Sequence, residues 1–151
     1  MRYELRCREC HKSWGNVPKS VCEDCFSPLE VSYDYDSIRP DFTREKIAAG
    51  PPNIWRYSPL LPLPENHAPT LPVGFTPLIQ SPALASKIGG GKNVYIKNDA
   101  VCVPTLSFKD RVVAVALANA RAFGFDTVSC SSTGNLANAT AAQAARHGFK
   151  C

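Results

Sequence analysis

The chain has 151 residues, of which 44% are hydrophobic and 20% charged, a balance typical of folded proteins and not of disordered ones. No apolar run approaches the roughly 20 residues that a bilayer-spanning helix needs, and the first residues lack the apolar segment of a secretory signal. Seventeen basic and thirteen acidic residues give a net charge of +4, too small and too dispersed to indicate nucleic-acid binding. We therefore expect a cytoplasmic protein that binds neither membrane nor nucleic acid.

Four of the seven cysteines form two Cys-x-x-Cys pairs near the start of the chain: Cys7, Cys10, Cys22 and Cys25. Each pair can direct two thiolates at one point, so the two pairs together predict a tetrahedral zinc site. Because sulfur would fill all four positions, such a metal would stabilise the fold and would have no open position for catalysis. We expect Trp14 and Gly15, between the pairs, at a hairpin tip. Two disulfides or a redox-active dithiol are the alternatives.

Composition divides the chain into three parts. Residues 1–35 are predicted to be a zinc ribbon that closes with a strand over 30–35, where apolar and polar residues alternate. Residues 36–74 are rich in proline, which indicates an irregular linker with one short helix near 41–49. Residues 75–151 show the regular pattern of an α/β domain.

In this last part, strands and helices alternate along the sequence. Helices are predicted over 81–89, 107–123 and 135–147, and strands over 93–96, 127–130 and 149–151. The second helix begins with a predicted capping box formed by Ser107 and Asp110. Strands that alternate with helices predict a parallel sheet with right-handed crossovers. Because two strands and the start of a third cannot bury both sheet faces, we expect this chain to be the front of a longer, truncated protein.

Two segments of this part carry residues suited to chemistry. Lys109 lies in the first turn of a helix, where facing the positive end of the helix dipole costs its cation about 0.3–1 kcal/mol. A lysine partly desolvated beside Phe108 becomes a better nucleophile for carbonyl groups. The segment Ser131–Asn135 lies between a strand and a helix, where hydroxyls and free amides bind anions such as carboxylates. A solvated lysine and an ordinary helix cap are the alternatives.

The order of these segments resembles the pyridoxal-phosphate enzymes of fold type II (tryptophan synthase β-like), and within them the threonine synthases that carry an N-terminal zinc ribbon. The similar segments are 104–111 around Lys109, 132–135 ending in Asn135, Gly74-Phe75-Thr76-Pro77-Leu78, Lys97-Asn98-Asp99, and Trp55-Arg56-Tyr57 in the linker. Leu136 departs from the threonine or serine that commonly follows the asparagine.

The resemblance implies a role for each matching residue. Lys109 would bind pyridoxal 5′-phosphate covalently and transfer protons, and Asn135 would hydrogen-bond the cofactor's 3′-oxygen, with Phe108 packed nearby. Ser132 and Thr133 would hold the substrate carboxylate. Lys97 would reach the phosphate of the substrate, an amino-acid phosphate.

The implied reaction converts O-phosphohomoserine and water to threonine and phosphate, in a full-length protein that could be a homodimer. The family's glycine-rich loop for the cofactor phosphate is expected beyond Cys151, so we expect the 151 residues alone to be inactive. Cysteate synthase and threonine dehydratase are alternative activities, because related enzymes share the lysine and asparagine segments. A zinc ribbon attached to a non-catalytic remnant, acting by binding, is a further alternative.

Overall fold

A computed structural model describes residues 2–64, 67, 71–89, 91 and 93–151 of the chain. The strands in this part are β1 (Tyr3–Cys7), β2 (Ser13–Gly15), β3 (Leu29–Tyr33), β4 (Leu78–Gln80) and β5 (Tyr95–Lys97). The α-helices are α1 (Tyr35–Ile38), α2 (Arg44–Ala49), α3 (Pro82–Ile88), α4 (Lys109–Ala122) and α5 (Asn135–His147). Short 3-10 helices cover Arg39–Asp41, Ile54–Leu60 and Asp99–Val101.

The cysteine segment folds as a three-stranded antiparallel sheet in the order β2-β1-β3. The predicted closing strand is confirmed as β3, which pairs with β1 along its whole length, from Tyr3 opposite Tyr33 to Cys7 opposite Leu29. The prediction for Trp14 and Gly15 is wrong, because both lie within β2 and not at a hairpin tip. The chain reverses earlier, where the backbone amide of Cys7 donates to the carbonyl of Lys12 at 2.9 Å.

The predicted parallel sheet is not formed as expected in the described part of the chain, although the architecture is mixed α and β. The strand predicted over 93–96 is β5, which pairs antiparallel with β4, a strand that the sequence did not predict. Segment 127–130 is no regular strand, and a single parallel bridge joins Thr127 to Lys150. This pairing stops early because the chain turns away after Cys130, whose carbonyl accepts from the amide of Ser132 at 3.1 Å.

The helix predictions are confirmed to within two residues at α3, α4 and α5. Gly89 and Gly148 end α3 and α5 in the left-handed conformation, which a glycine adopts without strain. The predicted capping box of α4 is wrong, because Asp110 accepts hydrogen bonds from Thr105 and not from Ser107. Within the described residues, no helix combines the length and apolar character that a membrane crossing requires.

The proline-rich linker packs against α4. Their side chains form one buried apolar cluster, made of Trp55, Leu63, Val73, Ala114 and Ala118. The indole Nε1 of Trp55 donates to the carbonyl of Leu71 at 3.1 Å, and Asn119 of α4 donates to the carbonyl of Pro62 at 2.8 Å. Because these linker side chains are buried against the small alanines of α4, the described part of the linker belongs to the core.

On its other side, α4 packs against α5. Val113 and Leu117 of α4 form a second buried cluster with Ala139 of α5. The fully buried side-chain amide of Gln143 donates to the backbone carbonyl of Asp110 at 2.9 Å. Helix α4 therefore lies between the linker and α5, and its first turn is bonded directly to α5.

Replacing Trp55 by alanine should lower the free energy of unfolding by about 3–5 kcal/mol, because it empties the buried contact between the linker and α4. Tyr57→Ala is a matched control from the same 3-10 helix, since Tyr57 is 40% exposed and Trp55 only 8%. Its expected loss is about 1 kcal/mol or less. Urea denaturation of both variants gives the two values, and equal losses would contradict a linker that is part of the core.

Candidate active site and cysteine cluster

The four cysteines predicted as metal ligands are brought together. Their sulfur atoms all lie within 4.8 Å of one another, with Cys7 Sγ 3.3 Å from Cys25 Sγ and Cys10 Sγ 3.7 Å from Cys22 Sγ. Four sulfurs placed about 2.3 Å from a zinc ion form a tetrahedron with edges of about 3.8 Å. The spacing and chemistry of these donors therefore fit a tetrahedral thiolate site.

The backbone around both cysteine pairs follows the same pattern. The residue after the second cysteine of each pair, His11 in one and Phe26 in the other, has a positive φ, of 59° and 58°. In each case its amide donates back to the carbonyl of the first cysteine, at 3.1 Å to Cys7 and 2.9 Å to Cys22. The two tight turns thus direct both thiols of each pair to one side.

Backbone amides also donate hydrogen bonds to sulfur atoms of this cluster, and at Cys25 such a bond favours the thiolate. The amide of Cys10 donates to Cys7 Sγ at 3.4 Å. The backbone amide of Ser27, helped by the neighbouring Cys7 thiol, lowers the pKa of the Cys25 thiol to about 6. A thiolate is the form of cysteine that binds a metal.

Lys109 is the first residue of α4, as the sequence predicts. Its side chain is partly buried, and its Nζ lies 4.8 Å from the centre of the Phe108 ring, a cation–π contact. Its backbone amide donates to the hydroxyl of Ser107 at 3.2 Å. The structure therefore brings Phe108 and Lys109 together and leaves the lysine amine without a carboxylate partner within the described residues.

The segment that leads into Lys109 is held in an unusual backbone conformation. Leu106 has a φ of 60°, a conformation that costs a non-glycine residue roughly 1–2 kcal/mol. The fully buried carboxylate of Asp110 holds this turn, since it accepts from the amide of Thr105 at 2.9 Å and from its hydroxyl at 2.7 Å. Such conformations persist only where surrounding contacts enforce them, and they cluster at functional sites.

A second anchor lies at Arg111, a residue for which the sequence pattern predicts no role of its own. Its guanidinium donates twice to the carboxylate of Asp99, at 3.0 and 2.6 Å, and the hydroxyl of Thr76 donates to the same carboxylate at 2.7 Å. The hydrogen bonds from Arg111 and Thr76 hold the pKa of the Asp99 carboxyl well below its usual range. These contacts join α4 to the segment that precedes β4 and to the segment that follows β5.

Lys97, at the end of β5, lies beside this network. Its Nζ donates to the backbone carbonyl of Thr76. Lys97 and Arg111 both line an open cavity of about 460 Å³. A larger cavity of about 800 Å³ lies between the cysteine segment and the linker, around Tyr3 and Leu63, away from the predicted catalytic residues.

The predicted carboxylate-binding segment precedes α5 as an exposed loop. Asn135 is the first residue of α5, and both Asn135 and Thr133 are exposed. The hydroxyl of Ser132 accepts from the amide of Gly134 at 3.3 Å, a bond that shapes the loop. Among the residues that the structure describes, no side-chain oxygen caps α5, so its first amides have no side-chain hydrogen-bond acceptor there.

Within the described residues, no hydrogen bond or ring contact joins Lys109 to Ser132, Thr133 or Asn135. The connection between the two segments runs instead through the helices, because α5 is bonded to the first turn of α4 by Gln143. The anchoring roles of Asp99, Thr76 and Gln143 were not predicted from the sequence. Asp99 lies two residues after Lys97, but no local spacing indicates that its carboxylate pairs with an arginine twelve positions later.

Comparison with protein families matches residues 69–151 to the family described as "Pyridoxal-phosphate dependent enzyme". No solved structure gives a significant match. The matched range holds Lys109, Asn135 and the Asp99–Arg111 pair, so the family match coincides with the candidate active site.

Curated relatives named threonine synthase match across the chain. The protein from Methanosarcina acetivorans is 40% identical over 148 residues, which cover 97% of this chain and 35% of the relative. The protein from Methanocaldococcus jannaschii is 38% identical over 147 residues, or 97% of this chain and 36% of the relative. A third, from Synechocystis, is 43% identical over 98 residues, or 64% of this chain and 25% of the relative. The chain thus spans about a third of the length of the first two.

Proposed function

Because the chain belongs to the pyridoxal-phosphate dependent enzyme family, we propose that it is part of a threonine synthase, which converts O-phosphohomoserine and water to threonine and phosphate. The observation that carries this proposal is the identity of 38–40% to two threonine synthases over 97% of the chain. A match of that extent includes the cysteine segment, which lies outside the region assigned to the enzyme family.

Lys109 is proposed to hold the cofactor and to move protons. Its side chain is partly exposed and pairs with no carboxylate among the described residues, so no ion pair has to be broken before the amine reacts with an aldehyde. When bound, the cofactor supplies an electron sink that stabilises a carbanion on the substrate. Lys109, released from the cofactor by the substrate, would then carry protons to and from neighbouring carbons as an acid and base.

The remaining residues of the site are proposed to orient the cofactor and the substrate. Asn135 would donate to the cofactor's 3′-oxygen, with Phe108 packed nearby. The hydroxyls of Ser132 and Thr133, with the uncapped amides of α5, would hold the substrate carboxylate, since a helix N-terminus favours an anion. The exposed position of this loop in front of α5 supports that role.

Lys97 is proposed to bind the substrate phosphate. An ammonium group has three donors, and within the described residues only the one that bonds the carbonyl of Thr76 is engaged. Arg111, the other cation beside the cavity, is neutralised by its bidentate pairing with Asp99. Lys97 therefore has more capacity for an anion than Arg111 has.

Lys109→Ala, made in the protein at its full natural length, should lower turnover of O-phosphohomoserine by about a thousandfold or more, because it removes the proposed acid and base. Borohydride reduction with pyridoxal phosphate, followed by peptide mapping, should place the pyridoxyl group on Lys109 in the unmodified protein. Lys87→Ala is the control, since Lys87 is exposed on α3.

Phosphate release from O-phosphohomoserine but not from O-phosphoserine would support the proposed substrate. Preferred turnover of O-phosphoserine would instead favour a cysteate synthase. An adduct spread over many lysines would contradict the role of Lys109.

We also propose that the four clustered cysteines hold one structural Zn²⁺. The spacing of their sulfur atoms and the two matching turns support this ligand set. Because all four positions would be filled by protein sulfur, the ion would supply folding free energy to the β2-β1-β3 sheet and take no part in the reaction.

Cys22→Ser should therefore lose bound zinc and lower the thermal stability of the cysteine segment, because its fully buried thiol is one of the four ligands. Cys151→Ser, at an exposed cysteine outside the cluster, is the matched control and should retain one zinc per chain. Metal analysis of the purified proteins measures the zinc content of both variants, and thermal unfolding measures their stability. Equal zinc content in the two variants, or a zinc-free parent with four free thiols, would exclude the site.

A further inference from the structure

Three successive residues begin α4, and the side chains of two of them are fixed. Side chains on an α-helix project about 100° apart from one residue to the next. Asp110 is fully buried and holds Thr105, while Arg111 is held by Asp99. Lys109 alone has a side chain that is partly exposed and bonded to no fixed partner within the described residues. Any rotation of this turn about the helix axis would break the contacts of both neighbours.

The pair of Arg111 and Asp99 is suited to fixing orientation. Two parallel hydrogen bonds join the planar guanidinium to the carboxylate, a geometry that restrains both direction and distance. The hydroxyl of Thr76 holds the carboxylate from another side. Since the Arg111 and Asp99 side chains are only 29% and 31% exposed, solvent screens the pair less than it screens a fully exposed ion pair.

We propose that Asp99 and Arg111 are positioning residues that orient the first turn of α4, so that the amine of Lys109 points to the cofactor. This proposal rests on the proposed function, in which Lys109 binds the cofactor. The pair touches neither substrate nor cofactor in this role and acts only through the backbone of the turn. The two parallel hydrogen bonds of the planar guanidinium, and not its charge alone, fix the orientation.

A lysine at position 111 would keep the charge but would lose the two parallel hydrogen bonds, because an ammonium group acts as a point charge on a flexible stem. In Arg111→Lys, we expect the ratio of adduct on Lys109 to adduct on the other lysines to fall about tenfold. Small misplacements of a reacting group reduce its reaction strongly. Asp99→Asn should have a similar effect, because the amide group offers only one acceptor oxygen to the guanidinium.

The test is borohydride trapping of pyridoxal phosphate in the protein at its full natural length, with peptide mapping of the share of adduct on Lys109. Thermal unfolding without cofactor is measured in parallel, and trapping is done where every variant is folded. Arg2→Lys is the matched control, since Arg2 forms a similarly short ion pair with Asp41, at 2.6 Å, far along the chain from α4. In this control, the share of adduct on Lys109 should equal the share in the parent protein.

The outcomes separate the two proposals. A parent protein that does not label Lys109 would overturn both the proposed function and the positioning role. A parent that labels Lys109, with Arg111→Lys and Asp99→Asn labelling it equally well, would overturn the positioning role alone. A loss of selectivity in folded variants supports it, because a purely structural role would change the unfolding temperature and not the site of labelling.

If the charged-pair variants do not fold, Thr76→Val supplies the decisive measurement. It replaces a hydroxyl by a methyl group of similar size and removes only the bond from Thr76 to the Asp99 carboxylate. We expect about a threefold loss of selectivity for Lys109 in a folded protein, the scale of one modest hydrogen bond. Selectivity equal to that of the parent would then overturn the proposal.

Discussion

The rest of the site depends on how the first turn of α4 is held. The first amides of a helix have no acceptor within the helix itself, and at the start of α4 the amides of Lys109 and Asp110 both donate to Ser107. The buried carboxylate of Asp110 and the guanidinium of Arg111 then fix the turn from two directions. A lysine on such a turn has little backbone freedom to lose when it reacts, which is what preorganisation of a catalytic amine requires.

The same helix carries the structural link to the cysteine segment. The linker packs on α4 through Trp55 and Val73, and the hydroxyl of Tyr33 in β3 donates to the linker carbonyl of Leu60 at 2.9 Å. The three-stranded sheet is thus connected to α4 through the linker, by packed side chains and by contacts that include the Tyr33–Leu60 hydrogen bond. In the proposed enzyme, a metal in that sheet would support the linker on which α4 rests, although it takes no part in the reaction.

Local sequence signals predicted α3, α4, α5 and the cysteine cluster well, because glycine stops and Cys-x-x-Cys spacing act over a few residues, although the predicted capping box of α4 was wrong. Strand pairing was predicted poorly. β5 pairs with β4, a three-residue strand too short for its alternation to be recognised, and the pairing of Thr127 with Lys150 does not extend into a ladder. The Asp99–Arg111 pair was missed for the same reason, since tertiary contacts between distant segments leave no periodicity in the sequence. The roles of Lys97, Phe108, Lys109, Ser132, Thr133 and Asn135, and metal binding by the four cysteines, stay predictions.

Amide hydrogen exchange at the start of α4, measured without cofactor in the protein at its full natural length, tests the central claim most directly. Thr105 and Asp110 should exchange at least about tenfold more slowly than Asn135 at the uncapped start of α5, because their amides are held by Asp110 and Ser107. Equal, fast exchange at the two helix starts would show that the turn carrying Lys109 is not held in place, and would contradict a preorganised lysine at the active site.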